Sequence, residues 1–219
     1  MQNEPMLNIK ERPPIIIAGL IILCFILMTY GPTSIRDFIY EYGLLLRPDN
    51  LERGEWIHYL ALLTHSLLHG SMAHLVLNGF MLLIFGVAVM RGAHYLAKEK
   101  ARKDTSAQTF YLIFFTGVLL GGLAQWVWWY ISQQTHVSAL GASGGVSALF
   151  AGAAWAMGSW DRMIKFGLAY GLVNVIMVAS TPITGINMGW AAHLGGYVGG
   201  ALLAPFFIKP NSTGLSIKG

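Results

Sequence analysis

Charged side chains are scarce in this chain: 11% of its 219 residues are Asp, Glu, Lys or Arg, and 55% are hydrophobic. A soluble domain carries about 25% charged residues, so a water-soluble globule is excluded and the chain belongs in a bilayer. Cysteine is nearly absent. Cys24 stands alone in an apolar run, which rules out intramolecular disulfides and Cys-rich metal sites. Acids vanish altogether after Asp161. No long internal repeat is evident, so an inverted-repeat transporter has little support. The net charge of +4 is no nucleic-acid signal, because the basic residues follow membrane topology.

What is present is a series of apolar runs. Residues 1–14 read as a short cytoplasmic N-terminus, 15–208 as a six-helix membrane domain and 209–219 as a cytoplasmic tail. The run 15–30 is long enough to span with its flanks. It exceeds the usual h-region of about 7–15 residues, and no small-x-small site follows, so it reads as a retained helix rather than a signal peptide. Residues 31–57 mix charge with aromatic residues and predict short helices at the membrane surface. Further spans are expected within 59–90 and at about 109–131, 139–159, 163–180 and 188–208. A basic loop, 91–107, and a charged turn, 160–165, separate them on one side; loops 132–138 and 181–187 lie on the other. Trp126, Trp128, Trp129 and Tyr130 predict an aromatic belt at a membrane interface.

Six spans put both termini on one side. Lys10, Arg12, Arg91, Lys98, Lys100, Arg102, Lys103, Arg162, Lys165, Lys209 and Lys218 fall there, eleven of fourteen basic residues, against Arg36, Arg47 and Arg53 opposite. The positive-inside rule makes that side cytoplasmic. Few residues flank the spans and no presequence is evident, so the expected membrane is the bacterial inner membrane.

The fourth and sixth spans then both enter from the outer face. Ser143 is about four residues into one and His193 about five into the other, roughly 6–8 Å deep at 1.5 Å per residue. Gly141 and Gly144 thin the first helix, and Gly196 and Gly200, on the face of His193, thin the second, so their backbones can approach closely. A serine within reach of a histidine is the minimum for nucleophilic hydrolysis. No acid lies within a span, so the pair is a dyad rather than a triad. On the second span, His74 and Asn78 share a helical face and can donate to an oxyanion. His65 and His69 form a second such pair, nearer the surface, and read as structural supports. Four polar side chains at this depth predict a hydrated cavity opening outward.

Three blocks carry a resemblance: His65-Ser-Leu-Leu-His69-Gly-Ser-Met-Ala-His74-Leu-Val-Leu-Asn78, Gly141-Ala142-Ser143-Gly144, and Ala192-His193-Leu-Gly-Gly196. In that order, across residues 54–205, they resemble the rhomboid intramembrane serine proteases. The resemblance implies an all-α bundle of six transmembrane helices with cytoplasmic termini. It implies Ser143 as nucleophile, His193 as base, and an oxyanion hole of His74, Asn78 and the Ser143 N–H. It also implies that Gly196 and Gly200 pack the sixth helix on the fourth, that the fifth helix and the 181–187 loop gate access, and that substrates are single-span membrane proteins. No cofactor, metal or nucleic-acid partner is expected; the lipid bilayer is.

Two positions depart from the family pattern. The Trp-Arg pair often found three residues before the threonine of the histidine block is Leu60-Ala61 here, with Trp56 and His58 out of register. The aromatic residue often found four after the serine, stacked on the catalytic histidine, is Ser147. Alone, Ser143 reads as a packing residue, and His193 fits a hydrogen-bonded structural role as well as a functional one; only their combination with the donors points to catalysis. Two other functions remain open. One is a catalytically silent, rhomboid-like protein that binds transmembrane helices. The other is a metal-dependent membrane protein using His65, His69 and His74, although no Glu accompanies them.

Overall fold

The computed structural model describes residues 12–47, 59–135, 137–184 and 188–210. Arg53, Trp56, His58, His136 and the last three residues of the 181–187 loop lie outside them. Seven helices form the described chain: α1 (Arg12–Tyr30), α2 (Thr33–Gly43), α3 (Ala61–Thr64), α4 (Met72–Glu99), α5 (Ser106–Ile131), α6 (Ser143–Thr184) and α7 (Trp190–Phe207). The helices α1, α4, α5 and α6 are long and apolar enough to cross a membrane. A two-residue antiparallel ladder joins Leu45–Leu46 (β1) to Ser138–Ala139 (β2).

Several boundaries differ from those read in the sequence. The expected span within 59–90 is interrupted: α3 passes into a 3-10 turn, His65–Leu67, and α4 starts only at Met72. Ser71 sets that start, its Oγ accepting from the His74 N–H at 3.2 Å, as an N-cap should. His65 and His69 therefore precede the long helix and do not share one of its faces. At its other end α4 runs on to Glu99, through half of the expected basic loop. Its last residues, Ala97-Lys98-Glu99, are strong helix formers, and Ala101 ends the run with a φ of 47°. The expected turn at 160–165 comes earlier: the backbone leaves helical geometry at Gly158 and Ser159, the latter at a φ of 58°. Asp161 and Lys165 are already helical and form an i,i+4 ion pair at 2.9 Å.

The aromatic belt is also redistributed. Trp129 is 3% exposed and belongs to the core. The Trp126 indole donates to Leu46 O at 2.8 Å, and Trp128 meets Trp190 edge-on. An indole N–H that leaves water needs an acceptor, and the folded-in segment at Leu46 supplies one.

Phe110, Phe114, Leu82 and Leu149 are fully buried in the core. Leu168, Leu172, Val175 and Ile176 on the second half of α6 and Phe206 on α7 are exposed; an apolar surface of this kind faces lipid. The centre of the bundle is a glycine junction. A Cβ on Gly117 of α5 would meet the Ala148 Cβ at 2.3 Å, and one on Gly121 would meet Ala192 O at 2.8 Å. A Cβ on Gly196 would come 2.1 Å from Gly144 O, and one on Gly200 would come 2.1 Å from Ala148 O. These two contacts advance together by four residues on each helix, so α7 runs parallel to the first half of α6 with backbone against backbone.

Candidate active site

That register carries Ser143 and His193 to the same end of the seam. Ser143 is the first residue of α6, one before Gly144. His193 is three before Gly196, nearly a full turn on the same face of α7. Both are half-buried. Ser143 heads a helix, so its backbone N–H is among the amides left without an intrahelical acceptor, pointing outward where the helix dipole favours negative charge.

The turn before Ser143 is held from two directions. Gly141 has a φ of 121°, and a Cβ there would lie 2.8 Å from the His74 Nε2. Any other residue would be strained and would clash with the His74 ring, so this glycine is what lets His74 lie beside the serine turn. The Gly141 N–H donates to His65 O at 2.9 Å, and the His65 ring bonds Ala61 O at 2.6 Å. His65 thus braces the turn through its carbonyl. His69, 1% exposed, rests its ring 4.9 Å from that of His74. Asn78 is buried one turn after His74 on α4, and its Nδ2 donates to His74 O at 3.1 Å. Gly144 completes the group, packed on Gly117 O.

Three further side chains enter the site that the sequence alone did not single out. Asn174 Oδ1 is 2.8 Å from His193 Nδ1. Tyr170, one turn earlier, lies near-parallel to the His193 ring, 6.2 Å between centroids, and its hydroxyl is 2.7 Å from Ser147 Oγ. Gln125 of α5 accepts the Ala192 N–H at 3.3 Å. The available signal was polarity: each is a hydrogen-bonding residue in an apolar span, where such groups are costly unless partnered.

Among the described residues, no three His, Cys, Asp or Glu converge to hold a metal. His94 is exposed and pairs with Asp104 at 2.8 Å. What the group can do is transfer protons and stabilise charge: a hydroxyl at a helix start, an imidazole at the matching end of its neighbour, and amide and imidazole donors on a third helix. In comparisons with known proteins, the family model described as Rhomboid domain matches residues 53–210. No curated protein matches the chain.

Proposed function

The chain belongs to the rhomboid family, and from that premise we propose that it is an intramembrane serine endopeptidase that cleaves single-span membrane proteins near the outer face. In this reading the kink at Gly158–Ser159 separates a fourth span from a fifth within α6, and six spans would leave both termini cytoplasmic, the arrangement that the basic residues favour. The observation that carries the catalytic reading is the α6–α7 seam, where Gly196 and Gly200 bring His193 to the helix that Ser143 begins.

In the proposed reaction, His193 Nε2 takes the Ser143 hydroxyl proton as Oγ attacks the scissile carbonyl carbon. The carbonyl oxygen becomes an oxyanion, stabilised by the Ser143 N–H, His74 and Asn78. Collapse breaks the C–N bond, and the histidine returns its proton to the leaving amine. Water, activated by the same imidazole, then hydrolyses the acyl-serine. A preorganised donor is worth about 2.7–4 kcal/mol at such a site.

Asn78 is one donor among three, and one of its amide hydrogens is already engaged by His74 O. Asn78→Ala is therefore expected to slow cleavage by about 100-fold, the low end of what one lost oxyanion donor costs, without abolishing it; unchanged turnover would remove Asn78 from the oxyanion site.

The silent alternative is disfavoured because both the serine and the histidine are present. A fluorophosphonate probe separates the two. Wild type is expected to be labelled at Ser143, and Ser143→Ala to be unlabelled and inactive. Labelling that persists in Ser143→Ala overturns the nucleophile. An unlabelled, correctly folded wild type supports the silent, helix-binding protein.

A further inference from the structure

The family pattern leaves a gap at Ser147, where an aromatic support for the histidine is often found, and the structure fills it from the second half of α6, beyond the kink at Gly158–Ser159. Asn174 is 2% exposed, and its two amide atoms have separate partners. Nδ2 donates to Tyr170 O at 2.9 Å, and Oδ1 faces His193 Nδ1 at 2.8 Å. The first bond fixes the amide's orientation, since the opposite one would set two oxygens against each other. Oδ1 can only accept, so His193 Nδ1 must carry the hydrogen. That leaves the lone pair on Nε2, the tautomer that a base for Ser143 requires.

Tyr170 completes the frame. Ser147 Oγ donates to Ser143 O at 2.6 Å, which uses its one hydrogen. The Tyr170 hydroxyl, 2.7 Å away, must then donate to Ser147. One helical turn, Tyr170 to Asn174, thus reaches both members of the dyad: the serine's carbonyl through Ser147, and the histidine through Asn174 and the flanking phenol ring. Resting on the protease reading above, we infer that Tyr170 and Asn174 are the positioning residues of the dyad. Asn174 holds His193 in the Nδ1–H tautomer, and Tyr170 supplies the ring support that position 147 lacks. Ser147 is then an adaptation rather than a defect: its small side chain leaves room for Tyr170 and relays its hydroxyl to the serine turn.

The same half-helix is tied to α7 by the Tyr197 hydroxyl, which donates to Met163 O at 2.6 Å. It cannot swing away from α7 without loosening the histidine.

The test is the rate of fluorophosphonate inactivation at Ser143 in detergent, resolved into kinact and KI, with thermal midpoints measured alongside. Asn174→Leu is expected to lower kinact by about 10- to 100-fold, the loss typical when a group orienting a functional histidine is removed, with KI unchanged. Asn174→Asp keeps the acceptor for His193 Nδ1 but loses the donor to Tyr170 O, and is expected to recover part of the rate. Tyr170→Phe, which keeps the ring, is expected to be faster than Tyr170→Leu, and this pair decides the matter if Asn174→Leu does not fold. Wild-type kinact in both Asn174→Leu and Tyr170→Leu overturns the inference while leaving the protease reading intact. So does an Asp variant as slow as the Leu variant with the same loss of thermal midpoint, which marks a purely structural role. An unlabelled wild type overturns both readings together.

Discussion

His193→Ala is expected to abolish proteolysis while the helix bundle stays folded. The sequence offers no acid near the site, so one imidazole has to accept the Ser143 proton, protonate the leaving amine and activate the water. In a soluble serine protease, losing the base costs about 10⁶-fold in kcat; a loss of that order would leave no detectable product. The expected structural cost is smaller. His193 is half-buried, and its removal strands one acceptor, the buried Asn174 Oδ1, a penalty of about 1–3 kcal/mol. Packing of α7 on α6 rests on Gly196 and Gly200, which the substitution does not touch. The measurement is co-expression with a panel of single-span membrane proteins, comparing wild type, Ser143→Ala, His193→Ala and the double variant. Because the two residues act as a unit, the double variant is expected to be no worse than either single one. Cleavage by His193→Ala that survives in the double variant would mean that the activity comes from elsewhere.

What was legible in the sequence, and what was not, divides along a physical line. The apolar runs and the glycines at helical spacing depend on local pattern, and the seam they predict between α6 and α7 is present, backbone against backbone. The placement of Ser143 and His193 at one end of it follows from the same spacing. Misreadings arose where a local break overrode periodicity. His65 and His69 stand four apart, yet the Ser71 cap starts a new helix after them. Tyr170 and Asn174 were illegible for a different reason. Their partners lie 19 to 23 residues away in the chain, and which side chains they meet depends on how α6 folds back at Gly158–Ser159. Only polarity within an apolar span marked them. For the same reason, Ser147 looked like a missing support, because its replacement comes from tertiary structure.

Gly196→Ala is expected to produce the second-largest effect, because the space it would need is filled by backbone. The added Cβ would lie 2.1 Å from Gly144 O, 2.8 Å from its carbonyl carbon and 2.9 Å from its Cα, whereas ordinary contact begins at 3.4 Å. No rotamer change relieves a clash between a Cβ and a main chain, so α7 must move away from α6 by roughly an ångström. A misplacement of about 1 Å costs on the order of 100-fold in rate, and here the shift falls between the nucleophile and its base. Turnover is therefore expected to fall at least that far, with a lower thermal midpoint from the opened seam. Gly200→Ala meets Ala148 O at the same 2.1 Å but one turn farther from the dyad. It is expected to lose as much stability and less activity, since α7 can pivot about its outer end. Gly171→Ala provides the control: nothing lies within 4 Å of its Cβ, so it should leave activity unchanged and raise helix stability by up to about 1 kcal/mol. Wild-type turnover and thermal midpoint in Gly196→Ala would mean that the two helices do not meet as described, and that the seam is not what brings His193 to Ser143.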